Sequence, residues 1–178
     1  MSLTESEFTS LRRTITIRGT VRMALLPVTL LGWAIVTLLL LLFGELPAAV
    51  VFPLAVLVGG FEAIHALHVG AERIGRYLQV YYEDAPDGPR WETTAMAVGP
   101  ALPGGGIDPL FSVVFVAATL ANLIPAFTPG PTRTELAVLL PLHFALIVRV
   151  VRARGAAARQ RAIELESYRA LRSQTPTR

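Results

Sequence analysis

The chain has no cysteine and no lysine. Without cysteine there is no disulfide, no thiolate nucleophile and no thiolate-bound metal. Without lysine there is no Schiff base and no phosphate-gripping lysine of the Walker type. All sixteen basic residues are arginine, a bias that codon usage is enough to explain. Charge is scarce as well: 16% of residues are charged, against about 25% in an ordinary globular domain.

Catalytic motifs are missing too. There is no G-x-S-x-G elbow and no H-E-x-x-H pattern, and Gly104-Gly105-Gly106 is not followed by Gly-Lys-Ser/Thr. Asp84-Ala85-Pro86-Asp87-Gly88 is similar to the opening of the D-x-x-D-G motif of CDP-alcohol phosphotransferases. That motif needs a membrane helix and further aspartates at fixed spacings. Here Pro86 and Pro89 break any helix and the later aspartates are missing. No residue is assigned a catalytic role, and the balance leans away from an enzyme.

What the chain does have is apolar runs. Of 178 residues 53% are hydrophobic and the mean hydropathy is +0.54, too apolar for a soluble domain of this size. Four runs are expected to span a membrane, at about 23–43, 46–69, 110–127 and 134–151, each close to the ~17–25 residues a spanning helix needs. The first is uncharged and contains Pro27, tolerable near a helix start. A signal peptide is the competing reading of this run. Its apolar stretch exceeds the roughly 7–15 residues of an h-region and no clear A-x-A site follows. Asp108 and Pro109 suit the start of the third span, and Thr132-x-x-Glu135 reads as a capping box before the fourth.

Arginines flank these runs unevenly. Arg12, Arg13, Arg18 and Arg22 precede the first; Arg73, Arg76 and Arg90 lie between the second and third; Arg149, Arg152, Arg154, Arg159 and Arg161 end or follow the fourth. The opposite connections hold only Arg133. By the positive-inside rule both termini are cytoplasmic and the membrane is the cell's inner membrane. The expected fold is all-α: a four-transmembrane-helix bundle of two antiparallel hairpins. It carries a cytoplasmic N-terminal arm (1–22), a membrane domain (23–151) with a central cytoplasmic loop (70–107), and a cytoplasmic helix and tail (152–178). The high pI, near 9.9, belongs to this orientation signal and not to nucleic-acid binding. Within the loop, Tyr77, Tyr81, Tyr82 and Trp91 alternate with Glu83, Asp84, Asp87 and Glu92. They read equally as a surface packed on the bundle and as a docking surface for a partner.

The second run carries the chain's most unusual pattern. Glu62, His65, His68 and Glu72 follow one another at helical spacing, with Arg76 beyond. Ionisable groups are expensive in hydrocarbon, so they pair or serve a function. Glu62, His65 and His68, with His143 of the fourth span, are candidate ligands for a transition metal, or for haem through paired histidines. Glu-x-x-His is half of the di-iron carboxylate pattern of four-helix bundles, but the other half is absent because Leu140 stands three residues before His143. The competing reading makes these groups interhelical hydrogen bonds and interfacial ion pairs. Ala55, Gly59 and Ala63 form a small-residue face that favours close helix packing, with Ala117 and Ala121 as a matching surface. Asn122 reads as an interhelical hydrogen-bonding group.

Three functions remain open. The first is an accessory or scaffolding subunit of a membrane complex, in contact with lipid and with other subunits or copies of itself. The second is a metal- or haem-binding redox protein using Glu62, His65 and His143. The third is a small proton-coupled transporter with Glu62 as the titrating group.

Overall fold

The computed structural model describes residues 3–44, 46–83, 90–98, 110–128 and 130–174. Among these the regular elements are helical, with no strand. Helix α1 spans Leu3–Phe43, and a 3-10 turn at Pro47–Val50 leads into α2, Val51–Leu78, which ends in a π turn at Gln79–Glu83. Helix α3 is Trp91–Val98, α4 is Ser112–Ala121, α5 is Ile124–Phe127 and α6 is Arg133–Gln174.

Three helical stretches are long and apolar enough to cross a membrane: Glu5–Phe43, Pro47–Glu83 and Arg133–Ala156. The expected third span is shorter. Its apolar stretch is Ser112–Phe127, and the helix is interrupted after Ala121 by a turn at Asn122 and Leu123. Pro125, inside α5, has no N–H with which to continue the ladder of α4. Asp108 and Pro109 lie outside the described residues, as do Asp84 to Pro89 and Gly104 to Gly106. Phe111 holds the N-cap position of α4 in a left-handed conformation, φ 52°, with no side-chain cap. The capping box before α6 forms as expected. Thr132 N–H donates to Glu135 Oε2 at 2.8 Å, and Glu135 N–H donates to Thr132 Oγ1 at 3.2 Å.

Two expectations change. The N-terminal arm is the first part of α1, so Pro27 sits in a helix interior and not near its start. Thr9, Thr14, Thr16 and Thr20 fit that helix by donating their hydroxyls to carbonyls four residues back. The central segment is also more helical than a loop: α2 runs on into the π turn ending at Glu83, and Trp91–Val98 forms α3.

The chain divides into two compact units. Unit 1 comprises residues 1–21, 67–109 and 155–178; unit 2 comprises 22–66 and 110–154. In unit 2 the core is built from Leu54, Leu57, Phe61 and Ile64 of α2, Phe115 and Ala118 of α4, and Leu146, Val150 and Ala153 of α6. Their three- and four-residue spacings mark one stripe on each helix. Phe61 and Phe115 meet edge-on with centroids 5.3 Å apart. Helix α1 reaches this core through Leu25, Leu26, Leu30 and Trp33. A Cβ on Gly60 would run into the buried Thr29 side chain, so α1 and α2 approach closely there.

In unit 1 the helix directions can be read from the contacts. Tyr77 donates to Glu7 at 3.1 Å and Arg18 reaches Gly70, so α1 and α2 are antiparallel. Arg161 meets Glu72, Arg76 meets Glu164, Tyr168 packs on Tyr77 and Arg172 donates to the Val80 carbonyl. Both sets of numbers rise together, so α2 and α6 run parallel.

Candidate functional site

The polar stripe does not act as one site. Its first part lies in unit 2, where Arg149 of α6 donates through Nη2 to Glu62 Oε2 at 2.8 Å and contacts His65 Nδ1 at 3.3 Å. The same guanidinium lies over the Phe61 ring, 5.6 Å from its centroid. An arginine has only donors to offer, so His65 Nδ1 accepts and its proton sits on Nε2. The pair is half-exposed on both sides. Glu62 lies roughly 22 Å along the helix from Pro47, and Arg149 roughly 24 Å along α6 from Arg133, at ~1.5 Å per residue. The two charges therefore fall at matching depth.

The second part of the stripe lies in unit 1. Arg76 is buried and bridges two carboxylates, Glu72 at 3.1 Å and the buried Glu164. Arg161 adds a contact to Glu72 at 3.3 Å, and Arg73 one to Glu164 at 3.2 Å. Gln160 donates to Glu164 Oε1 at 3.0 Å. Burial alone would raise the Glu164 carboxyl; the hydrogen bonds from Gln160, Arg76 and Arg73 outweigh it and hold the carboxyl below its usual range. His68, between the two parts, is the most buried histidine of the stripe because it continues the apolar seam of Phe61 and Ile64.

A third polar centre joins four elements of unit 2. Asn122, fully buried where α4 ends, donates through Nδ2 to the Val50 carbonyl at 2.9 Å and meets His143 Nε2 at 3.0 Å. Its Oδ1 accepts the Trp33 indole N–H at 2.9 Å. His143 Nδ1 lies 2.8 Å from the Leu139 carbonyl, an acceptor, so Nδ1 carries the proton and Nε2 offers its lone pair to Asn122. Every polar atom of the Asn122 amide has a partner, which a group in this apolar setting requires.

These commitments bear on the ligand reading. Among the described residues no group of three or more His, Asp or Glu side chains is placed to hold a metal ion. The lone pair of His143 Nε2 is used by Asn122, and Glu62 and His65 face a guanidinium that repels a cation.

The aromatic-acidic segment is largely drawn into unit 1. Tyr77 stacks on Tyr81 at 4.6 Å and meets Tyr168 edge-on at 5.8 Å, and Tyr82 packs on Phe8 at 5.4 Å. Glu83, at the end of the π turn, accepts from the backbone N–H groups of Glu92 and Thr93, at 2.6 and 2.8 Å, and so caps α3. Arg12 closes the group through Glu92 at 2.6 Å. Burial pushes the Glu92 carboxyl up, while Arg12 pulls against it. Trp91 stays exposed.

Ala55, Gly59 and Ala63 lie on the exposed side of α2. The close approach to α1 is made one residue on, by Gly60. The residues that sequence reasoning did not single out are Arg149, Glu164 and Trp33. Arg149 looked like a flanking charge, yet it stands three residues past Leu146 on the core-facing stripe of α6, and that phase is the signal that places it against α2.

Among the described residues, fold and site together define a helical protein with three helices long and apolar enough to cross a membrane, linked by paired polar side chains. Comparison with family models, with curated proteins and with solved structures finds no match.

Proposed function

We propose that this is a four-span membrane protein of accessory or scaffolding type, which organises other membrane subunits or further copies of itself. One observation carries the reading. In the most apolar stretch of α1 only 6% of the residues are fully buried, against 33% in the second candidate span and 28% in α6. Leu25, Leu26, Leu30 and Trp33 turn toward the chain's own core, and the rest of the helix surface is left to lipid or another protein. The stripe residues Glu62, His65 and Glu72 are paired within the chain, which suits a framework better than a reaction centre.

The four-span topology draws support from the parallel direction of α2 and α6. Two parallel crossings need a return crossing between them, and Ser112–Phe127 is the apolar stretch available. A broken helix shorter than a full span is tolerated where neighbours cover its backbone. The arginine distribution then puts both termini on the cytoplasmic side of the inner membrane. Ala55, Gly59 and Ala63 are the proposed contact with another membrane helix. The metal, haem and proton-carrier readings lose support, because Glu62 and His65 share Arg149 and His143 is bonded to Asn122.

Extraction in mild detergent, with mass measured by light scattering and companions identified by mass spectrometry, tests the proposal. The expected particle is heavier than one 19.2 kDa chain, through a defined companion or a second copy. A lone monomer from native membranes overturns it.

A further inference from the structure

Short α4 leaves part of the α6 surface in unit 2 uncovered. Two adjoining hollows follow this side. One, of about 510 Å³, is lined by Leu120, Leu123, Leu140, Phe144 and Ile147. The other, of about 380 Å³, is lined by Val113, Val116, Ala117, Leu120 and Val151. Leu120 borders both, so the two hollows adjoin and together follow α4 and α6 as an open groove on either side of that residue. Apart from His143, whose ring nitrogens are engaged by Leu139 and Asn122, its walls are apolar until one end, where Ser112 and Arg154 stand. The α6 residues along it, from Leu140 to Arg154, cover roughly 21 Å at ~1.5 Å per residue.

The position of Arg154 gives this groove a direction. From Arg133 the helix rises about 32 Å to Arg154, at ~1.5 Å per residue, close to the ~30 Å of a hydrocarbon core. The guanidinium therefore stands at headgroup level while the apolar walls run back into the membrane. Arg73, Arg76, Arg149 and Arg161 each meet a carboxylate. Among the described residues no carboxylate pairs with Arg154. An apolar trough ending in an uncompensated cation at the membrane boundary matches a molecule with an acyl tail and an anionic head.

We infer that the α4–α6 groove is a binding site for an anionic phospholipid, its tail along Val116, Leu120 and Phe144 and its phosphate on Arg154. The lipid fills the space that a longer α4 would have covered. A guanidinium at an anionic surface contributes about fivefold in affinity, which sets the headgroup preference. The inference rests on membrane embedding and is independent of the scaffolding role.

Native mass spectrometry of the detergent-purified full chain, offered equal phosphatidylglycerol and phosphatidylcholine, tests it. Wild type is expected to retain phosphatidylglycerol about fivefold better. Arg154→Gln should abolish that preference, and Arg152→Gln, two residues away and on another side of α6, should keep it. Ala117→Trp, which fills an exposed part of the groove, should lower retention of both lipids. Helical circular dichroism checks that each variant is folded; if Ala117→Trp is not, Arg154→Gln against Arg152→Gln decides. Equal loss in both arginine variants, or none in either, overturns the inference. So does a folded Ala117→Trp that retains lipid, or one whose only change is oligomeric mass, which would give the groove to a second copy. A monomeric wild type that still selects the anionic lipid would sink the scaffolding proposal and leave this one standing.

Discussion

Glu164 is a buried carboxylate kept ionised by its neighbours. Water removal opposes its charge, yet Gln160, Arg76 and Arg73 all donate to it, and the net effect holds its carboxyl low. A carboxyl that is more acidic folded than unfolded adds stability above its unfolded value, and that contribution is lost as pH falls through the folded one. Its contribution is therefore complete at neutral pH and fades below about pH 4.3, the ordinary glutamate range. Glu164→Gln removes the charge but keeps the shape. Thermal unfolding in detergent should place this variant below wild type at pH 7, with the gap narrowing as the buffer is taken below that range. A gap independent of pH would mean that Glu164 acts by packing and not by charge. His143 presents the complementary logic. Its tautomer is set by Leu139 and Asn122, so a histidine offered as a candidate ligand on sequence grounds is one whose lone pair has a partner within the chain.

Adjacent glycines on α2 separate two meanings of a small residue in a membrane helix. A Cβ on Gly60 would meet the buried Thr29 side chain, whereas a Cβ on Gly59 meets nothing within 4 Å. Gly60→Ala is expected to cost about 1–3 kcal/mol through overpacking. Gly59→Ala should leave stability unchanged or raise it slightly, since alanine is the better helix former by roughly 1 kcal/mol. Unfolding of the two variants side by side checks this; equal losses would mean that α2 is rotated from the phase described here. The small-residue spacing itself was legible in the sequence, and so was the presence of a packing face. Which face turned inward was not, because Ala55, Gly59 and Ala63 form a regular row while the close approach within the chain pairs Gly60 with a threonine 31 residues earlier. Such cross-helix facts have no local signature. Local ones were read correctly: the Thr132–Glu135 box lies within one turn, and Asn122 could only be tolerated in an apolar helix if bonded to a neighbour. The extent of α1 was missed because its first half is polar, and only contacts such as Glu7 with Tyr77 and Arg12 with Glu92 reveal what holds it.

At the scale of the whole chain, the question is how many times it crosses. Composition pointed to four crossings; length and apolarity of the helices support three. The two counts make opposite predictions about the C-terminal end of α6. With three crossings, α6 would run against α2 and its end would emerge on the side opposite the N-terminal end of α1. In unit 1 the two helices run parallel, and residues from the start of α1, the end of α2 and the end of α6 belong to the same unit. That arrangement favours the four crossings proposed above. Because the chain has no cysteine, single introduced thiols report position without background. Ser10, Thr128 and Ser167 are exposed and lie near the start of α1, just after α5 and late in α6. With a membrane-impermeant maleimide, Ser10→Cys and Ser167→Cys should label together in vesicles of one orientation, and Thr128→Cys only in the opposite orientation. Labelling of Thr128→Cys together with Ser10→Cys, and of Ser167→Cys only in the opposite orientation, would show that Ser112–Phe127 does not cross, and the parallel pairing of α2 with α6 would then be untenable in the membrane.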